Sequence, residues 1–408
     1  MNVDTMRKLD RYAGVPLCFL GSVIKALVSF LRPQAEKNVP PRRILFIGLS
    51  EMGSTILADP AMIKLKRALN ADLYFAIFLR NKPSLELLST ISNEKIIVLR
   101  DSGIIALVVD TVRYLIWTRR NAIDTVIDLE LFSRFTALLT GISGAARTAG
   151  FHSFYAEGLY RGNFLTHRVA YNPHQHMAKN FLALANAVLS DREEVPYSKT
   201  IITDEEIIPG KVAISGQARD AMLDRVRKAC PTFDPNRHRI VLFNTDASEL
   251  IPLRRWPQEH FVKLAKMVLE KHPRVIILLT GDISERTNKD IIIRSVNNER
   301  CVNFAGQTTI QELPKLYSLS TFMLTNDSGP AHFASVTDMP AFVLFGPETP
   351  KLYGPLGAMT PIYAGLACSP CVSAANHRKT ACNDNVCLKM ITPEKVYEIL
   401  KSSLEMLR

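Results

Sequence analysis

Asp327-Ser328-Gly329-Pro330-Ala331-His332 is the stretch of this chain whose residue types and spacing best suit anion chemistry. It follows Thr321 to Thr325, a short apolar run with strand character. The break at Asn326 to Gly329 leads into Pro330, which a first helical turn tolerates because it lacks an N–H. The pattern predicts a helix from there, capped by Ser328 or Gly329 and formed by Ala331 to Val336, with Pro340 closing it before a second strand, Ala341 to Phe345. In open α/β sheets ligands bind at the carboxyl ends of strands, where a helix start offers free N–H donors and partial positive charge to a phosphate. Asp327 to His332 is therefore expected to floor an anion or nucleotide site.

Two further groups carry chemistry. Cys368-x2-Cys371-x10-Cys382-x4-Cys387, with His377 between the pairs, has spacing compatible with a four-thiolate zinc site. Reduced thiols or a redox-sensitive pair fit the same residues. His152, His167, His174 and His176, with Arg147, Arg161 and Arg168, form an aromatic, basic segment suited to an acceptor's phosphates or acidic sugars. Each histidine alone is as well read as a surface residue.

The elements that must position these groups alternate. Strand-like runs at 44–48, 72–79, 95–100 and 125–128 are interleaved with helical patterns at 55–69, 83–91, 104–120 and 133–143, and 151–168 reads as a loop. A second set follows a polar connection at 190–211. Its strands are 239–244, 275–280, 321–325 and 341–345, and its helices are 213–229, 256–271, 286–296 and 311–319. The expected architecture is α/β with two doubly wound, Rossmann-like domains facing a central cleft. The boundaries expected are a basic and apolar helical segment at 1–40, with a linker at 38–43, then domains at 41–200 and 201–392, and a C-terminal helix at 393–408 capped at Thr392.

A chain of 408 residues with 47% hydrophobic and 22% charged residues is globular, long enough for two domains, and not a disordered polymer. The net charge of +11 favours an acidic partner, and nucleotide phosphate or anionic lipid fits better than nucleic acid, for which no module is present. Seven cysteines, four of them bunched near the end, do not resemble a secreted disulfide framework, so a cytoplasmic chain is expected. No uncharged apolar run reaches the roughly 18 residues of a membrane span. Val15 to Leu31, interrupted by Lys25 and flanked by Arg7, Lys8, Arg11 and Arg32, reads either as an interfacial helix with a basic rim or as a helix docked on the protein's own surface.

From about Arg42 to Leu400 the chain resembles glycosyltransferase family 9, the lipopolysaccharide heptosyltransferases of GT-B architecture. The resemblance rests on Asn326 to His332, on Leu344-Phe345-Gly346-Pro347-Glu348-Thr349-Pro350 followed by Gly354-Pro355, on Arg254-Arg255-Trp256-Pro257, and on the opening Ile44 to Lys66. It implies inverting transfer of a sugar from a nucleotide-diphosphate donor, by default ADP-heptose, to a lipid-linked saccharide at the inner face of the bacterial inner membrane, with peripheral membrane contact. Asp327, Ser328, Gly329 and His332 match residues that hold the donor's diphosphate and sugar. Thr245 matches a hydroxyl near the phosphates, and Arg254 a family lysine that meets them. Asp282 or Glu285 is similar to the acidic residue near the donor's nucleoside, and Lys351 is a further cation for the leaving group. No cofactor is required for that chemistry.

One departure bears on the chemistry. The family's catalytic aspartate follows Met-Gly in the first loop, and here Met52-Gly53 is followed by Ser54. A serine hydroxyl is not a base at neutral pH without one beside it. Glu51 in the same loop or Asp59 in the following helix could supply the carboxylate. Alternatively the chain is a nucleotide-sugar epimerase, or a nucleotide-sugar binding protein whose transfer chemistry is lost. Ser54 itself also fits a plain helix N-cap.

Overall fold

Runs such as Ile44 to Ile47, Val275 to Leu279 and Ala341 to Phe345 are apolar at every position, so both faces of the strand must be covered. Helices on both sides of a parallel sheet meet that requirement. In the computed structural model, which describes residues 3–31, 39–155, 160–248, 251–374 and 376–406, all of these residues are buried.

Two units divide at Gly210/Lys211. The first contains α1 (Val3–Tyr12), α2 (Gly14–Leu31), β1 (Arg43–Ile47), α3 (Met52–Leu69), β2 (Asp72–Phe78), α4 (Lys82–Leu88), β3 (Ile96–Leu99), α5 (Ile104–Arg120), β4 (Thr125–Asp128), α6 (Arg134–Ile142), β5 (Arg147–His152), β6 (His167–Ala170) and α7 (Met177–Leu189). The second contains α8 (Gly216–Ala229), β7 (Arg239–Asn244), α9 (Gln258–Lys271), β8 (Val275–Thr280), α10 (Arg286–Val296), β9 (Cys301–Asn303), α11 (Leu313–Tyr317), β10 (Ser320–Asn326), α12 (Gly329–Ala334), β11 (Ala341–Phe345), α13 (Pro350–Tyr353), β12 (Met359–Tyr363), α14 (Val386–Lys389) and α15 (Pro393–Glu405).

Each unit is a six-stranded parallel sheet. The strand orders are β3-β2-β1-β4-β5-β6 and β12-β11-β10-β7-β8-β9, one doubly wound topology used twice. In each, the chain reverses direction across the sheet between its first and fourth strands: β1 beside β4, with Ile47 level with Asp128, and β7 beside β10, with Asn244 level with Thr325. Such a reversal leaves a crevice at the carboxyl ends of that strand pair.

Four strands escaped the sequence pattern. β5 and β6 flank the loop expected at 151–168 and overlap only its ends, and β9 and β12 were also missed. β5 reads Arg-Thr-Ala-Gly-Phe-His, with its four middle residues buried, so neither alternation nor an aliphatic run marks it. Helix α3 begins at Met52, not Thr55, which corrects the reading of Ser54 as its cap: Ser54 lies in the first turn and Glu51 is the N-cap. Of the expected linker 38–43, residue 38 lies outside the described residues, as do 407 and 408 of the expected final helix. The two N-terminal helices dock on the first unit. Asp10 Oδ1 accepts from the backbone N–H groups of Arg134 and Phe135 at the start of α6, at 2.8 and 2.9 Å.

In the second unit the core closes on Trp256, 2% exposed, whose Nε1 donates to the Ile391 carbonyl at 2.8 Å and whose ring meets Phe261 edge-on at 4.7 Å. Trp256→Ala removes that filling and is expected to cost about 3–5 kcal/mol. Chemical denaturation followed by circular dichroism checks this, and a loss under about 1 kcal/mol would contradict the packing described.

Candidate functional site

The reversal point of the second unit gathers most of the expected donor residues. Asn326, fully buried at the end of β10, accepts from the Trp256 N–H through Oδ1 at 2.9 Å and donates to the Thr245 carbonyl through Nδ2 at 2.9 Å. One amide thus ties the end of β10 to the loop after β7 and to the turn that carries Arg254.

Arg254 lies between two buried carboxylates. Its Nη2 is 2.8 Å from Glu348 Oε2, and its Nε is 3.3 Å from Asp327 Oδ2. Burial pushes the Asp327 carboxyl up, opposed by Arg254. Glu348 is pushed up to about 7, first by burial and then by the Asp327 charge, against the pull of Arg254. Arg378 stands 3.9 Å from the same Glu348 oxygen, its guanidinium 5.2 Å from the Tyr353 ring centre. Among the described residues Arg254 Nε, Asp327 Oδ2 and Glu348 Oε1 are buried without a hydrogen-bond partner. Arg254 Nε and Asp327 Oδ2 meet only as an ion pair without hydrogen-bond geometry, so the cluster leaves buried hydrogen-bonding capacity that a polar ligand can complete.

Beside this cluster lies a second. Lys289, fully buried on α10, donates to Thr245 Oγ1 at 2.8 Å, pairs with Asp246, and is 3.5 Å from Glu285 Oε2. Glu285 therefore joins the Thr245 group, its carboxyl pushed up by burial and pulled back by Lys289. Asp282 is committed elsewhere. Its Oδ1 accepts from the Ser284 N–H and Oγ at 2.9 and 2.7 Å, and these bonds hold its carboxyl below the usual range.

Ser328 begins α12 by backbone geometry, but its side chain does not cap it; the hydroxyl donates to the Asn326 carbonyl at 3.2 Å. Gly329 is the first helical residue, and His332 is buried in the same short helix. Lys351 is exposed on α13, and among the described residues no ion pair joins it to the Arg254 cluster. Sequence reasoning passed over Glu348, Arg378 and Lys289. Glu348 had a signal, a charged residue inside a Gly-Pro turn directly after an all-apolar strand.

The first unit's reversal point holds the loop after β1. Glu130, two residues past β4, accepts from the N–H groups of Leu49 and Ser50 through Oε1, both at 2.8 Å, and from Ser50 Oγ through Oε2 at 2.6 Å. This carboxylate, also missed in the sequence, fixes the loop whose next residue is Glu51. Glu51 and Ser54 are half-buried at the start of α3. Asp59 is not available as a base. It is fully buried, and its oxygens accept from Thr90 Oγ1 at 2.6 Å and the Gly210 N–H at 2.7 Å.

Of the three expected acceptor arginines, Arg161 and Arg168 both bear on His152, and Arg147 lies apart from them. Arg161 is an internal strut, paired with buried Asp128 and donating to the Ser133 carbonyl at 2.9 Å. Arg147 begins β5, level with Thr125 and Ile44 at the amino end of the sheet, whereas Arg168 pairs with Gly150, which is level with Asp128 and Ile47 at the carboxyl ends of β4 and β1. The four expected zinc ligands lie in one neighbourhood. Cys368 and Cys382 are exposed, Cys371 is half-buried, and Cys387 is packed in the core below Gly346. Burial raises the Cys387 thiol, and the three neighbouring cysteines raise it further. The thiols suit a soft metal chemically, but among the described residues no three His, Cys, Asp or Glu side chains converge as a metal site.

The model of glycosyltransferase family 9 (heptosyltransferase) matches residues 117–381, well over half of the chain. Lipopolysaccharide heptosyltransferase 2 of Salmonella typhimurium is 29% identical over 178 residues, 43% of this chain and 50% of that protein. The chain thus spans about half the length of the curated relatives it matches. Among solved structures, the ADP-heptose lipopolysaccharide heptosyltransferase II of Escherichia coli superposes with a TM-score of 0.66 at 19% identity, over 89% of this chain and 99% of that one. The family 9 glycosyl transferase of Veillonella parvula gives 0.66 at 18% identity, over 90% and 98%. Two doubly wound units in one chain, a motif region lying at their strand reversals and a family match across both units lead to one assignment: the chain belongs to glycosyltransferase family 9, the heptosyltransferases.

Proposed function

We propose that this chain is an inverting glycosyltransferase that moves a heptose from ADP-heptose to a lipid-linked saccharide of the lipopolysaccharide core. The observation that carries the proposal is Arg254 held between Asp327 and Glu348 at the strand reversal of the second unit, with three buried polar atoms of the cluster making no hydrogen bond. A departing diphosphate needs a fixed positive environment, and a preoriented guanidinium in a water-poor site stabilises developing charge far better than one in bulk water. Arg254, with Arg378 behind Glu348, offers that environment. Thr245 and Glu285, tied by Lys289, stand where the rest of the nucleotide would be received.

The other half of the reaction is removal of a proton from the acceptor hydroxyl. Ser54 cannot do this alone, so the carboxylate of Glu51 is assigned as the base, on a loop that Glu130 holds in place. A second reading, a nucleotide-sugar binding protein without turnover, is favoured by Ser54 standing where the family has its aspartate.

Incubation with ADP-heptose and a heptose-deficient lipopolysaccharide acceptor is expected to give the extended product. Glu51→Gln should lower turnover on the order of 10²–10⁴-fold and leave donor affinity nearly intact. Product from the variant at the wild-type rate would remove Glu51 from the mechanism, and no product from the wild type would favour the binding protein. Because the guanidinium groups balance the diphosphate charge, the wild-type rate is expected to survive EDTA, and loss of it would show a metal requirement.

Glu348 sets a pH dependence. Its folded value lies above the ordinary carboxylate range, so it carries a proton in mildly acidic solution and loses it as pH rises through about 7. Once ionised it competes with the diphosphate for Arg254. Donor affinity by calorimetry should therefore fall as pH rises, by up to about tenfold from roughly pH 7 to 8, and Glu348→Gln should flatten the profile. A profile unchanged in the variant would contradict the competition.

A further inference from the structure

Helices α2 and α5 of the first unit are apolar where they pack and apolar again where they do not. On α5 the inner side holds Tyr114, whose hydroxyl donates to the Leu139 carbonyl of α6 at 3.2 Å. The outer side presents Ile105, Val108, Val112 and Ile116 at helical spacing, and Ile105 is 82% exposed. On α2 the inner side holds buried Cys18 and Gly21, where an added Cβ would come within 3.0 Å of the Phe164 ring. Its outer side presents Phe19, Leu20, Ile24 and Leu27, with Phe19 64% and Leu27 61% exposed. A helix that is hydrophobic all round is ordinarily covered. Helix α6 lies against both, so the two outer stripes belong to the same helix-covered side of the sheet.

Charge decides what covers them. α1, α2 and α5 carry seven basic residues (Arg7, Lys8, Arg11, Lys25, Arg113, Arg119 and Arg120) against three acidic ones (Asp4, Asp10 and Asp110). Two of those acids are consumed internally: Asp10 by Arg134, and Asp110 by Arg100 and Arg113. Lys8, Arg11, Arg113 and Arg120 remain exposed beside the apolar stripes. A second copy laid on this face would set like charge against like. No single described helix is long and apolar enough to cross a membrane, and α1 with α2 passes such a test only as a pair bent by 44°.

We propose that α2 and α5 together form a face that inserts shallowly into an anionic lipid bilayer, apolar side chains in the headgroup boundary and basic residues against lipid phosphates. The expectation from sequence concerned residues 15–31 alone; α5 is the new half of the surface. The proposal suits a lipid-linked acceptor but stands on the apolar faces and charge, so its test is separate from the transfer assay.

Flotation of the full chain with phosphatidylethanolamine vesicles, with and without phosphatidylglycerol, tests it. The wild type should float with the anionic vesicles and be released by high salt. Ile105→Glu/Val112→Glu on α5 and Leu20→Glu/Ile24→Glu on α2 should each cut the vesicle-bound fraction on the order of tenfold. Their thermal melting and stabilisation by ADP should match the wild type. If the double variants misfold, Ile105→Ser, at a position already in solvent, should still weaken flotation. Wild-type flotation by the folded α5 variants, flotation indifferent to phosphatidylglycerol, or a wild-type dimer in light scattering that the α5 variants convert to monomer would each overturn the proposal.

Discussion

The second unit's site depends on one buried amide. Asn326 uses Oδ1 and Nδ2 to fasten the Arg254–Trp256 turn and the loop after β7 to the end of β10. The turn and the loop are irregular backbone at the carboxyl end of the sheet's two central strands, where unpaired N–H and C=O groups would otherwise have to be satisfied by water. With the amide in place, Thr245, Arg254 and Asp327 have fixed positions relative to one another. Without it, burying Asp327 and Glu348 beside a single guanidinium would be hard to sustain, since each buried charge needs a partner held at the right distance.

That constraint explains why the ion cluster is electrostatically unfinished. Two carboxylates face Arg254, with Arg378 at 3.9 Å from one of them, and both carboxyls are pushed up. A cluster selected for stability alone would do better with apolar residues of similar volume. Its cost is intelligible where an anion exchanges partners with a carboxylate, because protonation of Glu348 lets the guanidinium change partners without creating an unpaired buried charge.

The fold was largely legible because its signals were strong. α5, β4, β7, β8, α10 and β11 fall at the limits read from apolar runs and turn residues. β5, β6, β9 and β12 were not legible: they are short, contain Gly, Pro or polar residues, and are strands because a parallel neighbour supplies their hydrogen bonds. The donor side of the site was legible because Asp-Ser-Gly-Pro-Ala-His is local in sequence. Glu130 is about eighty residues from the loop it holds, and Glu348 meets Arg254 and Arg378 from separate segments, so only the folded chain reveals them. The arginine cluster dissolved for the converse reason. Arg147, Arg161 and Arg168 are close in sequence, but strand direction sends Arg147 to the far end of the sheet and Arg161 is spent on Asp128.

The two units share one strand order and use its reversal in opposite electrostatic senses. In the second, a cation is held between acids where the chain presents buried polar atoms that make no hydrogen bond. In the first, the carboxylate of Glu130 is spent on backbone N–H groups, which fixes the loop but leaves it without the aspartate that the family places after Met-Gly. Because Glu130 already accepts from three donors, making it the base would release the loop it holds. Asp59 is excluded by burial and by the two donors on its carboxylate. That leaves Glu51, the N-cap of α3, as the base proposed above. A base moved from the first helical turn to its N-cap is a shift of three residues, which a longer side chain can span while the loop itself stays fixed.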